Sequence, residues 1–335
     1  MTTKMFFLII VITLVLSPGK SISQATLNLS KIPRIDVHAH VGDLENMAKY
    51  MGIRKILMDE YNVDLAMWIN LRSPLGPRGE GIEYLQEVEN TYKGRFLTCL
   101  TNHNIAKGLK FSPEEVGEWM DNGVVGYKIW VGVSPAIDNP ANDATLSKME
   151  QIGLPGASVH ISQPYPTRWC EDPVKFWESQ NAWERVLDRH PNLIVINAHM
   201  LDFFNSDEQL DYLIYMFETY PNLNVDIAAR FQQFLSMDWN KLRDFIIKYS
   251  DRIVFGTDIG RIDEEAELSG FAERYNKCFL LLETDQMVKG GFFGQDEMKG
   301  LDLPGEVLEN IYYKNTMRLY PRVKNVLVDL GYEIE

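Results

Sequence analysis

Four of the six histidines in this chain stand where short apolar runs end, and one aspartate does the same. His38 and His40 close the run Ile35-Asp36-Val37-His38-Ala39-His40. His160 follows Ser158-Val159, His199 follows Ile196-Asn197-Ala198, and Asp258 follows Phe255-Gly256-Thr257. In a strand, residues two apart point to one side, so the spacing of His38 and His40 aims two imidazoles at one place. Neutral imidazoles joined by a carboxylate form a donor set for zinc or a similar divalent ion. One His pair alone would be matched by surface histidines with no role; the recurrence of five such residues at strand ends is what carries the reading. The other two histidines differ: His190 precedes a proline at a helix end, a structural place, and His103 follows the third strand candidate.

The elements that must position these groups alternate along the chain. Strand candidates span residues 34–40, 64–70, 95–101, 124–130, 157–161, 193–198, 223–228 and 252–257. Helical patterns cover 45–61, 82–92, 113–122, 173–189, 207–219 and 239–249. Strand–helix alternation implies a parallel sheet. Eight such strands within residues 34–257 match a closed (β/α)8 TIM barrel, whose functional side chains gather at the C-terminal ends of the strands. His190-Pro191-Asn192-Leu193 and Tyr220-Pro221-Asn222-Leu223 each lead into a strand, 221 − 191 = 30 residues apart, close to one strand–helix unit. A doubly wound open sheet would want a glycine-rich loop after its first strand, and none is present. After the eighth strand come a glycine-rich stretch, 289–294, and helix candidates 304–314 and 322–330.

The chain has 335 residues, 45% hydrophobic and 24% charged, with a net charge of −14. That acidity argues against a nucleic-acid binder, which needs a basic face. Lys4, the apolar run 5–16, the break Ser17-Pro18-Gly19, and Ser21 and Ser23 ahead of Gln24 have the layout of a secretory signal peptide over residues 1–23. The run is too short to span ~30 Å of hydrocarbon, so no stable membrane anchor is expected. The barrel domain is then expected over 24–335, in a protein exported to a periplasm or secreted. Cys99, Cys170 and Cys278 fit no metal knuckle and read as free thiols.

In these residues the chain resembles the metal-dependent amidohydrolase superfamily, in particular its amidohydrolase-related (amidohydrolase 2) branch. The likeness runs from Ile35 to about Pro321, through the His-x-His of strand one, single histidines on strands five and six, and Gly256-Thr257-Asp258 on strand eight. Asp226 and the closing segment 310–321 are also similar to that branch. The resemblance implies metal ligands His38, His40, His160 and Asp258, with Lys128 and His199 joining them if two ions bind. Lys128 ends the fourth strand, where the family places a carboxylated lysine bridging two metals. A lysine must be neutral to capture carbon dioxide, which a desolvated site favours. The competing reading keeps Lys128 unmodified and a single ion, with His199 as electrophile or proton shuttle. Zinc is expected, with manganese or iron as alternatives.

A divalent ion lowers the pKa of water it binds from ~15.7 to about 7. Asp258 is expected to take the proton as general base, and His199 to stabilise the developing oxyanion. Arg72, Arg168, Arg230 and Arg261 each follow a strand end, and guanidinium forks suit carboxylates, so an anionic small molecule is the expected substrate. For each arginine a structural salt bridge is the plain alternative. Tyr127, Trp130, Tyr165 and Trp169 are candidates for an aromatic wall at the same mouth, although aromatics beside a strand more often pack. Two activities remain open here: a hydrolase of an amide, lactone or ester, or a single-metal non-oxidative decarboxylase or hydratase. A non-catalytic binding protein would have lost ligand positions, and none is lost. The only macromolecular partner expected is a second copy of the chain.

Overall fold

The computed structural model describes residues 32–41, 46–61, 63–68, 75–103, 105, 108–132, 135–161, 172–289 and 296–334. Residues 1–23, Arg72, the segment containing Tyr165, Arg168, Trp169 and Cys170, and most of the glycine-rich stretch 289–294 lie outside these, as does the His103 side chain. Among the described residues no helix is long and apolar enough to cross a membrane.

Eight strands follow one another: β1 (Ile35–Ala39), β2 (Leu65–Trp68), β3 (Phe96–His103), β4 (Gly126–Gly132), β5 (Gly156–Ile161), β6 (Val195–Asn197), β7 (Leu223–Asp226) and β8 (Ile253–Val254). Each pairs in parallel with the next, in chain order. The seam between first and last is closed by backbone bonds: Val37 N–H to the Phe255 carbonyl at 3.0 Å, Asp258 N–H to His38 at 2.8 Å, and His40 N–H to Ile259 at 3.0 Å. The result is the expected (β/α)8 barrel.

Helices α1 (Met47–Glu60), α2 (Ile82–Tyr92), α3 (Pro113–Asp121), α4 (Asp143–Ile152), α5 (Pro173–Arg189), α6 (Asp207–Thr219), α7 (Trp239–Lys248) and α8 (Leu268–Glu283) connect them. Their starts are written locally. Ser112 accepts from the Glu115 N–H while Glu115 reaches back to the Ser112 N–H, a capping box with Pro113 in the first turn. Asp172, Ser206 and Asp238 cap α5, α6 and α7 more simply, each side chain accepting first-turn N–H groups.

Ile35, Val37, Leu97, Cys99, Val125, Ala157, Ile196 and Val254 form a buried cluster with Leu319, Tyr320, Val323, Val326 and Leu327. Of the C-terminal helices α9 (Gly305–Glu309), α10 (Asn315–Leu319) and α11 (Pro321–Asp329), the last two thus pack on the strand layer, each large apolar side chain adding ~1.5–3 kcal/mol by burial. Where a helix over 304–314 was expected, the helical path runs on to Leu319 through a π-turn at Asn310–Lys314. A wider turn leaves carbonyls out of the regular ladder, and the Ile311 carbonyl accepts the Phe255 N–H at 2.9 Å. Asn315 donates to the Ser250 and Ile253 carbonyls at 2.7 Å each, fixing the start of β8. Cys99 and Cys278 are buried free thiols, as expected.

Candidate metal centre

The last three strands end earlier than the β-propensity of their residues suggests, because the backbone turns left-handed where the functional groups sit. His199, Met200, Leu201 and Asp202 have φ of 56, 55, 56 and 60°, and Asp258 has φ 57°. Left-handed backbone costs an L-residue ~1–2 kcal/mol, so the turn needs compensating bonds. Asp226 Oδ1 accepts the His199 N–H at 2.9 Å, Arg230 Nε donates to the His199 carbonyl at 3.1 Å, and Arg230 pairs with buried Asp202. Asp258 lies four residues beyond β8 rather than closing it. Gly256 permits the close approach there, since a Cβ on it would meet those of His38 at 3.0 Å and Ala228 at 3.2 Å.

These turns bring the five residues together. His40 Nε2 lies 2.8 Å from Asp258 Oδ1, His38 Nε2 3.3 Å from the same oxygen, and His199 Nε2 4.0 Å from Asp258 Oδ2. His160 Nε2 is 3.0 Å from His199 Nε2. Two triads that could hold an ion share His38: His38, His160 and His199, and His38, His40 and Asp258. His38 is wholly buried, whereas the Asp258 side chain keeps 29% exposure, so the cluster is reached from the Asp258 side.

The hydrogen bonds behind the rings test whether an ion fits. His199 Nδ1 donates to the Ala228 carbonyl at 2.8 Å and His160 Nδ1 to the Ser158 carbonyl at 3.2 Å. A carbonyl only accepts, so both Nε2 atoms carry lone pairs, 3.0 Å apart and facing each other. Two acceptors at that distance repel unless a cation lies between them, and ~2.0–2.1 Å metal–nitrogen bonds require a similar ligand spacing. His38 Nδ1 lies 2.9 Å from Asp226 Oδ2, the carboxylate–histidine arrangement that orients a ligand ring. The residues fit a divalent ion.

Electrostatics agree with that fit. Burial lowers the His40 and His199 pKa values to about 4 and drives His160 well below its usual value, so all three imidazoles are neutral near pH 7. Burial alone would raise Asp258, but His38, the His40 hydrogen bond and His199 hold it well below the carboxylate range. Lys128 is fully buried, with its pKa lowered to about 8 by desolvation against the pull of Asp258 and Asp226. Its Nζ lies 3.4 Å from Ser158 Oγ, which is itself 3.4 Å from both ring nitrogens of His38.

The remaining candidates divide. Trp130 flanks the centre, its ring 6.1 Å from that of His160. Arg230 is engaged by Asp202 and the His199 carbonyl. Arg261 is exposed and paired with Asp263 at 2.7 Å, its guanidinium over the Tyr50 ring. Tyr127 faces away from the cluster, packing on Phe111 and donating to Asn102 Oδ1 at 3.0 Å, because the strand that turns Lys128 inward turns its neighbour outward. Arg72, Tyr165, Arg168 and Trp169 lie outside the described residues.

Asp36, Arg54 and Tyr275 were not singled out by sequence reasoning. Alternation alone would send Asp36 the same way as His38. The β1–β2 register slips between Asp36 and Ala39, and Asp36 bonds Tyr275 of α8 instead. Arg54 was readable: it stands on the apolar stripe Met47, Tyr50, Met51, Arg54, Met58 of α1, where a buried arginine needs a reason.

A closed (β/α)8 barrel with histidines and an aspartate gathered where its strands end defines a class of metal-dependent enzymes. The amidohydrolase family model matches residues 35–322, and the chain belongs to that family, an enzyme superfamily. None of the curated proteins compared with the chain matches it. Among solved structures, an uncharacterized TIM-barrel protein from Bordetella bronchiseptica aligns with TM-score 0.55 and 13% identity over 86% of this chain and 98% of its own. Dihydroorotase from Campylobacter jejuni aligns with TM-score 0.53 and 14% identity over 87% and 83%. A 5-carboxyvanillate decarboxylase from Novosphingobium aromaticivorans, solved with bound manganese, aligns with TM-score 0.52 and 13% identity over 87% and 98%. At such identities the likeness is one of fold.

Proposed function

We propose that the protein is a metal-dependent hydrolase acting on an amide, lactone or ester bond of a small substrate. One observation carries this reading: Asp258 is a partly exposed, ionised carboxylate 2.8 Å from His40 Nε2, at the open side of a set of neutral imidazoles. His38, His40, His160 and Asp258 would hold a divalent ion, which would supply Lewis acidity and make a water easier to deprotonate near neutral pH. Asp258 accepts that proton and returns it to the leaving group. His199, fixed by the Ala228 carbonyl, presents Nε2 toward the same space. Trp130 offers the substrate an apolar wall.

The single-metal decarboxylase alternative needs an arginine free to hold the substrate carboxylate. Arg230 and Arg261, the two candidates among the described residues, are both occupied by aspartates, and Arg72 and Arg168 lie outside the described residues. Zinc suits this nitrogen and oxygen donor set, and one ion per chain is the occupancy we favour.

Metal analysis combined with a panel of lactones, N-acyl amides, esters and carboxylated aromatics tests the reading. Zinc-loaded protein should hydrolyse members of the first three groups, and Asp258→Asn should lower kcat by ~10²–10⁴-fold with a smaller change in KM. Release of carbon dioxide with no hydrolysis would move the assignment to the lyase, and an unchanged kcat in Asp258→Asn would remove the proposed base.

A further inference from the structure

The seam between β1 and β8 is the thinnest part of the barrel, since β8 is only two residues long. His38, His40 and Asp258 all lie on it, joined across it by the three backbone bonds given above. Behind the seam, in the layer of α1 and α8, sits a buried polar side chain that reaches the cluster only through a main-chain carbonyl, that of His40.

Arg54 of α1 is 1% exposed. Its Nη2 donates to the carbonyls of His40 at 3.1 Å, Ile259 at 2.9 Å and Gly260 at 2.8 Å, one on the β1 side and two on the β8 side. Its Nη1 lies 3.5 Å from the Tyr275 hydroxyl, which donates to Asp36 Oδ2. Asp36 ties the same seam through donors. Its Oδ1 accepts the N–H groups of His38 and Thr257 at 3.1 Å each, and Thr257 Oγ1 donates to Oδ2 at 2.6 Å. One charge therefore gathers carbonyls from both edges of the seam, the opposite charge gathers N–H groups from both, and Tyr275 links them. Nη2 alone meets the three carbonyls while the second nitrogen, Nη1, lies toward Tyr275; an ammonium has a single nitrogen and would give up that second reach.

We propose that Arg54 is a positioning residue for the metal centre, setting through main-chain carbonyls the separation of His40 from Asp258. The inference rests on the metal reading above. Ligand geometry is sensitive to shifts well below 1 Å, and ligand-orienting groups commonly change metal affinity by ~10–100-fold. To the few backbone bonds that cross the seam at Val37, His38 and His40, the clamp adds side-chain contacts on both edges, which fix the spacing of these two residues.

Calorimetric zinc titration of the full chain, as wild type, Arg54→Lys and Tyr275→Phe, tests this. Arg54→Lys should bind zinc at least ~10-fold more weakly and lose kcat with little change in KM. Tyr275→Phe should shift zinc affinity in the same direction by less. In Arg54→Ala, added guanidinium should restore part of the affinity while ammonium should not. Zinc affinity within twofold of wild type in folded Arg54→Lys, with only a lower Tm, would overturn the proposal and leave Arg54 a stabilising residue. If Arg54→Lys does not fold, wild-type affinity in Tyr275→Phe overturns it instead. A wild-type chain that binds no zinc defeats the metal reading itself, and the clamp with it.

Discussion

The carboxylate of Asp226 serves two masters, and replacing it with asparagine separates them. Oδ1 accepts the N–H groups of His199 at 2.9 Å and Ala228 at 3.1 Å, while Oδ2 faces His38 Nδ1 at 2.9 Å. An asparagine has one acceptor. Turning its amide nitrogen toward the two backbone donors would strand both, at ~1–3 kcal/mol each, so its oxygen stays with them and its NH2 faces His38. His38 must then present a lone pair at Nδ1 and carry its proton on Nε2, the atom 3.3 Å from Asp258. A protonated Nε2 cannot bind an ion. Recovering the ligating tautomer sets two donors against each other, and losses of this kind run to ~10–100-fold in metal affinity, or about 1.4–2.7 kcal/mol. Side-chain volume hardly changes, so circular dichroism of the variant should match wild type. Calorimetry in metal-buffered solution reads the affinity. Zinc binding within twofold of wild type would refute the tautomer argument.

Three further outcomes follow from the same geometry. In chelator-treated protein, folded His40 and His199 titrate near 4 against an ordinary value of 6.5, so the unfolded chain holds more protons between those pH values. Stability should fall as pH drops from about 6.5 to about 4, and a Tm that is flat or rises across that window would contradict it. Lys128→Met removes a buried ammonium that has no carboxylate hydrogen bond among the described residues; at pH 7 metal-free protein should gain ~1–3 kcal/mol by denaturant unfolding while zinc stoichiometry stays at one. Loss of metal instead would identify Lys128 as a carboxylated bridging ligand. Removing zinc from protein held at ~100 times Kd withdraws ~2.7 kcal/mol of stabilisation, and a Tm lowered by about 5 °C in calorimetry is the expected reading. An unchanged Tm would mean that no ion stabilises the folded state.

Much of this was legible in the sequence, and the reasons are local. Strand runs, proline stops and capping residues such as Ser112 and Asp172 act within a few residues, so the barrel order could be read directly. Helices α4 and α8 were not marked: α4 follows the turn-rich run 134–142, and α8 carries Gly270 within its first turn. Strand ends at 198, 228 and 257 were placed too late, because the left-handed residues His199, Ala229 and Asp258 are imposed by tertiary hydrogen bonds, not by propensity. His38, His40 and Asp258 announced themselves by residue type and spacing. Asp36 did not, since its partner Thr257 lies 221 positions away, and Arg54 showed only as a charge on the apolar stripe of α1, its partner Ile259 lying 205 positions away. The pairing of Arg230 with Asp202 was not legible either, since nothing in its neighbourhood along the chain announces that partner.

The π-turn has a consequence for how the molecule comes into being. His40 and Asp258 are separated by 218 positions, so the cluster cannot assemble until nearly the whole barrel has been synthesised. Even then the Phe255 N–H lacks its acceptor, because the Ile311 carbonyl is made later still. Contacts of such long range also form slowly. Closure of the ring therefore belongs to the end of translation or after it, and the ion must enter a chain that has already left most of its folding behind.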